Sequence, residues 1–340
     1  MAQPPNRFEP LHYERDLDAP EEEQPAPRTR FYLDDSQSLI TYNNSPDVGF
    51  DASINPYRGC EHGCIYCYAR PYHEYLGLSA GIDFESKIMV KESAPALLRR
   101  ELSSPRWKPQ VLAMSGVTDP YQPIERKLQL TRRCLEVLAE FRNPVAIITK
   151  NCLVTRDADL LAELAKHQAA VVYISLTTLD AKLARIMEPR TAQPLARLQT
   201  VEALRKAGVP TGVLVAPVIP GLTDHELASI VQAAAHAGAQ FAGFVPLRLP
   251  GAVAPLFQQW LAECMPDRKE RVLASIRSIR GGRLNDPNFG SRMRGSGILA
   301  EQIRRLFHVA CRKAHIDRHG PTLSVTAFRR PPERQLSLFV

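Results

Sequence analysis

The sequence contains no run of about 18 apolar residues, the length a helix needs to cross a bilayer, so no membrane-spanning segment is expected. Its first residues, MAQPPNRFEPLHYERD, lack the apolar core of a secretory signal, which argues against export and for a cytoplasmic protein. Cysteine is scarce, odd in number and unevenly placed, with seven among 340 residues. A cytosolic chain of this size needs no disulfide framework, so metal binding or burial accounts for cysteine better than pairing does. What remains is the composition of a soluble globular protein, 44% hydrophobic and 23% charged. The length suits one large α/β domain with appendages, or two domains.

The net charge of +7 is unevenly shared. From Pro266 onward Lys and Arg outnumber Asp and Glu by 16 to 6, which leaves the preceding residues slightly acidic. A basic end on a nearly neutral body points to an anionic partner, nucleic acid first. Solvated helix faces are the other reading of the same arginines.

Residues 1 to about 30 are rich in proline and charge, a disordered composition, and 31–54 read as ordered but irregular. A rhythm then begins. Apolar or β-branched runs at 110–115, 145–149, 171–176, 211–217 and 241–247 alternate with amphipathic helical patterns. Among the latter, LTRRCLEVLAEF places Leu130, Cys134, Leu135 and Leu138 on one face, DADLLAELAKH follows at 157–167, and PLARLQTVEALRKAG ends at Gly208. Strands apolar throughout, each followed by a helix, predict a parallel sheet covered on both faces. With an initial strand before the first cysteines there are six units, a partial (β/α)6 barrel of the TIM type, since eight would close it. Functional groups are then expected at the C-terminal ends of the strands. After Pro250 the pattern becomes helical near 267–279 and 296–313, around an Arg/Gly-dense loop at 280–297. The expected divisions are an N-terminal extension (1–45), the barrel core (46–250), a basic helical extension (251–320) and a flexible tail (321–340).

The stretch RGCEHGCIYCYAR carries Cys60, Cys64 and Cys67. A structural zinc site wants four ligands, and His62 or His73 is available as a fourth. A 4Fe–4S cluster held by three thiolates instead leaves one iron open to a ligand from outside the protein. Cys134, Cys264 and Cys311 lie in helical or helix-flanking apolar patterns and read as core.

The pattern C-x3-C-x-aromatic-C, with Tyr66 as the aromatic, resembles the signature of radical S-adenosylmethionine (SAM) enzymes, whose cysteine loop follows the first strand of a six-unit partial barrel. SPDVGFDASINPYRGCEHGCIYCYAR, TDPYQPIE and APVIPGLTD further resemble a bacterial subfamily related to spore photoproduct lyase, described as DNA-repair-photolyase-like. The resemblance spans roughly 47–313. It implies that the methionyl group of SAM chelates the fourth iron. One electron then cleaves the sulfonium C–S bond, and a 5′-deoxyadenosyl radical abstracts hydrogen from a substrate. It further implies that Tyr66 lies by the adenine, that Thr118 and Asp119 meet the methionyl amine, and that Lys150 meets the carboxylate. Ser175 would lie near the ribose or carboxylate, and Val218 and Ile219 would pack on adenine. A turn role before Pro120 is the other reading of Thr118 and Asp119. The chain departs from the lyase at Gly116, where the lyase has a cysteine hydrogen donor; Tyr68 and Cys152 are the candidates to replace it.

Three functions follow: a lyase-like radical enzyme for repair or modification of DNA, a radical enzyme acting on a peptide or metabolite, and a cluster-bearing sensor or recruitment protein without turnover. Arg280, Arg283, Arg292 and Arg294 are the candidate phosphate contacts. The reductant would be a flavodoxin or ferredoxin. At the C-terminus QLSLF, with Gln335, Leu336, Leu338 and Phe339, resembles the peptide by which bacterial repair proteins dock on the DNA polymerase sliding clamp. Such docking would associate the protein with the nucleoid.

Overall fold

The fold is seen in a computed structural model that describes residues 28–331. Its strands are β1 (Arg30–Leu33), β2 (Ile40–Tyr42), β3 (Ala52–Ile54), β4 (Tyr57–Arg58), β5 (Lys87–Val90), β6 (Leu112–Met114), β7 (Val145–Thr149), β8 (Ala170–Ser175), β9 (Thr211–Val218) and β10 (Ala242–Pro246). Seven of them form one sheet in the order β10-β9-β8-β7-β6-β3-β2. From β3 to β10 every neighbouring pair in that sheet is parallel, which makes the six expected units. β10 and β2 end the strand order and do not pair with one another, so the barrel is open.

The region expected to be irregular holds two further strands. β2 pairs antiparallel with β3, and β1 joins β5 and β4 in a small second sheet. All four residues of β1 are exposed, so no apolar alternation marks it in the sequence.

The helices are α1 (Asp83–Ser86), α2 (Ala94–Ser103), α3 (Glu125–Leu128), α4 (Leu130–Phe141), α5 (Ala158–Ala165), α6 (Ala181–Met187), α7 (Pro194–Lys206), α8 (Leu227–His236), α9 (Val253–Cys264), α10 (Pro266–Ser278), α11 (Ser291–Arg294) and α12 (Gly297–Ala314). Local sequence sets several ends. Asp180 caps α6 by accepting from Lys182 N and Leu183 N at 2.8 and 3.2 Å. Pro194 opens α7 where no N–H is needed, and Gly208, at φ +83°, follows its end. The buried face of α4 carries Leu130, Cys134, Leu135 and Leu138, as its spacing predicts.

Two cores result. The larger lies between the strands and their helices, with Val145, Ile147, Val172 and Val213 against Leu135, Leu161 and Ile230. The second joins Cys64, Ile65 and Tyr66 of the cysteine loop to Leu256, Phe257 and Trp260 of α9 and to Val272 and Ile276 of α10. The sequence pattern predicts two helices after Pro250; α9 and the single turn α11 are additional. Pro255 lies in the first turn of α9, where a missing N–H breaks no intrahelical bond. Cys264, expected in the core, is exposed at the end of α9, whereas Cys134 and Cys311 are buried.

The described part of the tail is fastened along the base of the barrel, at the N-terminal ends of the strands. Asp317 accepts from Ala242 N at 2.8 Å and Ser324 N donates to Gln168 O at 2.9 Å. Phe328 rests on Phe141, and Arg330 donates to the carbonyls of Ser104 and Trp107 at 3.1 and 2.9 Å.

Candidate functional site

The cysteine loop follows β3 and β4, at the C-terminal end of the sheet. Phe84 O accepts from Cys60 N at 2.9 Å, and Arg70 holds the loop from beneath. Fully buried, Arg70 donates to Cys64 O at 3.0 Å, Gly63 O at 3.2 Å and Gly81 O at 2.8 Å. Gly63 sits at φ +66°, and a Cβ there would lie 2.1 Å from Glu85 Oε2, so only glycine fits this turn.

All three cysteines are free thiols; Cys60 and Cys64 are buried and Cys67 is half-buried. Burial pushes the Cys64 and Cys67 thiols up, and the neighbouring cysteines add to this, while Lys150 pulls both down. Among the described residues no three His, Cys, Asp or Glu side chains converge on a point that would hold a single metal ion. Three thiolates around a cluster bind separate irons and need not converge in that way. Of the two histidines, His62 lies between Cys60 and Asp119, its Nδ1 3.4 Å from Asp119 Oδ2, and His73 Nε2 is 2.9 Å from Lys87 O. The donor set therefore fits a 4Fe–4S cluster rather than zinc.

Thr118 and Asp119 brace this loop. Thr118 Oγ1 donates to Gly59 O at 2.6 Å, and Gln122 joins them by accepting from Glu61 N at 2.9 Å. Asp119 accepts from Tyr121 N at 2.9 Å, Thr149 Oγ1 at 2.7 Å and Lys150 N at 2.8 Å, which ties the ends of β6 and β7 together. Burial alone would raise its carboxyl, but His62 and these donors hold it below the usual range.

A second network surrounds Tyr66. Its hydroxyl donates to Glu188 Oε1 and lies 3.1 Å from Thr177 Oγ1. Glu188 pairs with Arg197, and both side chains are buried. Lys150 Nζ is 5.8 Å from the Tyr66 ring centre and 3.5 Å from Ala216 O. Ser175 ends β8, buried, and its carbonyl accepts from Arg197 at 3.0 Å. Val218 and Ile219 are buried in the larger and the second core respectively. Tyr66, Lys150 and Ser175 thus share one network.

The remaining candidates scatter. Tyr68 is exposed at the rim, with the Arg248 guanidinium 5.8 Å from its ring centre. Cys152 begins a short helical turn after Asn151 and is half-buried. Arg280 is not a surface charge: it is buried and donates to the carbonyls of Ser291, Arg292, Pro246 and Leu247, fastening the Arg/Gly loop to the end of β10. Arg292 pairs with Asp47 and stacks on Phe289 at 4.3 Å. Arg283 and Arg294 are exposed. Gln335, Leu336, Leu338 and Phe339 lie outside the described residues.

Sequence reasoning missed Arg70, Gln122, Glu188, Arg197 and Arg248. The first four are buried polar groups whose partners come from other elements. Their only signal was a charge or an amide, which for Arg197 sat within an amphipathic helical pattern.

An open barrel of six parallel strands, with three free cysteines on the loop after its first strand, defines an iron–sulfur enzyme architecture. Residues 54–234, more than half of the chain, match the radical SAM superfamily, and the chain belongs to that superfamily. It is an enzyme that uses a 4Fe–4S cluster and SAM, and enzymes of this kind need an electron donor. An uncharacterized protein of Mycobacterium tuberculosis is 39% identical over 230 residues, covering 67% of this chain and 68% of its own. A radical SAM Nα-GlyT isomerase of Pseudomonas phage M6 is 25% identical over 173 residues, 50% of this chain and 34% of its own. Among solved structures, spore photoproduct lyase complexed with dinucleoside spore photoproduct superposes with a TM-score of 0.58 at 15% identity, covering 83% of this chain and 78% of that one. No described helix is long and apolar enough to cross a membrane.

Proposed function

We propose that the enzyme directs its radical at DNA, for repair or modification. The observation that carries this reading is Arg248. It stands at the end of the last barrel strand beside Tyr68, and its Nε is buried without a hydrogen-bond partner. Burial and the neighbouring Arg292 both work against its charge, so an anionic group seated there would relieve the site. A phosphodiester suits a guanidinium fork in this position. Exposed Arg283 and Arg294 lie on the adjoining loop, where they would add phosphate contacts; Arg280 and Arg292 shape that loop through their protein partners. The lyase with a dinucleoside ligand shares the fold, which supports the same substrate class.

When bound, the cluster and SAM supply the radical. The chain's own residues hold the loop and wall the barrel. Gly116 offers no side-chain hydrogen, and a Cβ there would meet nothing within 4 Å, which leaves room for a donor from elsewhere. Tyr68, on the cysteine loop itself, is the favoured replacement, with Cys152 second. A flavodoxin or ferredoxin would deliver the electron. The QLSLF peptide would carry the enzyme to DNA on a sliding clamp, attached beyond Arg330 at the base of the barrel, away from the cysteine loop.

Anaerobic turnover of reduced enzyme with deuterated oligonucleotides tests this. Deuterium in 5′-deoxyadenosine is the expected result. Label arriving from a peptide or metabolite instead would move the substrate to that class. Cofactor cleavage with no label from any substrate would favour the sensor reading.

A further inference from the structure

Beside the cysteine loop lies a cavity of about 380 Å³, separate from the Arg248 rim. It opens between the end of β3 and the small second sheet, and Gly59 and Val117 place it next to the cysteine loop and the end of β6. Its volume is within the range of small-ligand pockets, about 300–1,000 Å³.

Three features of its lining point to a ligand. Lys91, just after β5, is only 7% exposed, and no described residue hydrogen-bonds or ion-pairs with its ammonium. The nearby carboxylates have other neighbours: Asp34 Oδ2 lies 2.8 Å from Arg58 Nε without accepting a hydrogen bond, and Glu101 accepts from Leu39 N and Ile40 N at 3.1 and 3.0 Å. Burial and Arg58 both disfavour the Lys91 charge, with Asp34 and Glu101 opposing them. Lys91 lines the cavity, where a bound anion would offset the cost of its burial. Secondly, Asn55 Oδ1 is buried without a partner, an acceptor awaiting an N–H or O–H. Thirdly, Tyr72 and Tyr75 are 52% and 66% exposed at the rim, with ring centres 6.4 Å apart. Exposed aromatic faces next to a cationic pocket are how proteins stack successive bases of a single strand while holding the backbone.

We infer that this cavity is a nucleotide subsite for single-stranded DNA, with Lys91 on a backbone phosphate, Asn55 on a base or sugar donor, and Tyr72 and Tyr75 under the bases. The inference rests on the DNA reading above and assigns it a second contact region besides Arg248.

The test uses the cluster-loaded full chain and fluorescence anisotropy with two oligothymidylates. One carries ordinary phosphodiesters and the other neutral methylphosphonate linkages. Lys91→Gln is expected to weaken phosphodiester binding about tenfold, the worth of a charge-assisted contact, and to leave the neutral oligomer unchanged. Lys91→Arg should retain most of the affinity. Should Lys91→Gln not fold, the exposed pair Tyr72→Ala and Tyr75→Ala carries the test, with at least about a fivefold loss expected on both oligomers. If wild type binds DNA and neither Lys91→Gln nor the tyrosine variant weakens it, the subsite is overturned while the DNA reading stands. If wild type binds neither oligomer, both fall.

Discussion

Arg197 donates through Nη2 to Glu188 Oε2, and neither side chain reaches solvent. The pair stands behind Tyr66, whose hydroxyl donates to the other Glu188 oxygen. A helix on the outside of the barrel, α7, is thereby coupled to the aromatic residue of the cysteine motif. Met187 O, which accepts from Ile65 N at 3.0 Å, adds a backbone tie from the same connection.

Glu188→Gln should destabilise the protein by roughly 3–5 kcal/mol, because it leaves Arg197 buried and uncompensated. Although burial raises the Glu188 carboxyl, Arg197 and then Lys150 bring it down to about 2 from its ordinary 4.5. A depressed carboxyl contributes stability that is fully present above pH 4.5 and drains away as pH falls toward about 2. Urea unfolding of wild type should therefore weaken more steeply than that of Glu188→Gln through this window. Parallel profiles would reject the role of the pair.

Reconstituted wild type should hold about four irons, and alanine at Cys60, Cys64 or Cys67 should abolish the cluster. Cys134→Ala should keep it. Thr118→Ala should lower iron retention, because Thr118 Oγ1 holds the Gly59 carbonyl next to Cys60. A colourless wild type carrying a single zinc would refute the cluster assignment.

Lys150→Ala and Ser175→Ala should each weaken SAM binding in anaerobic calorimetry, since a charge-assisted contact is worth about 1.5–3 kcal/mol and a neutral one about 1. The larger loss is expected at Lys150. Unchanged affinity in both would remove these residues from the cofactor site.

The arginines of the loop should separate by burial. Arg283→Gln with Arg294→Gln should lower DNA affinity and flatten its salt dependence by about 0.7–0.9 per lost contact, with stability unchanged. Arg280→Ala should instead lower thermal stability, because it opens the fastening to Pro246 and Leu247. Equal DNA binding by wild type and the Arg283/Arg294 variant would return both residues to plain surface charge.

A peptide ending in QLSLF should bind a bacterial sliding clamp in the micromolar range, as expected for a few apolar anchors ordered on binding. Alanine at Gln335, Leu338 and Phe339 should abolish that binding and leave the iron content intact. No binding by either peptide or full chain at high micromolar concentration would end the recruitment proposal.

Periodicity in the sequence marked five of the six parallel units, because a strand covered on both faces must be apolar throughout and its helix must be apolar on one side, and the first strand was placed only by its position before the cysteines. The three cysteines were legible because their ligand spacing is local. Local signals likewise marked Lys150 and Ser175 as strand-end residues. Only the tertiary structure decided which polar groups support them. Arg70 reaches back under its own loop, Glu188 finds Arg197 through a turn, and Arg280 looked like its exposed neighbour Arg283 until its four carbonyl partners were seen. α9 was hidden by a proline that costs nothing in a first turn, and β1 by having no buried face. Burial of a charge depends on which distant backbone carbonyls and carboxylates the fold brings to it. No spacing rule along the chain carries that information.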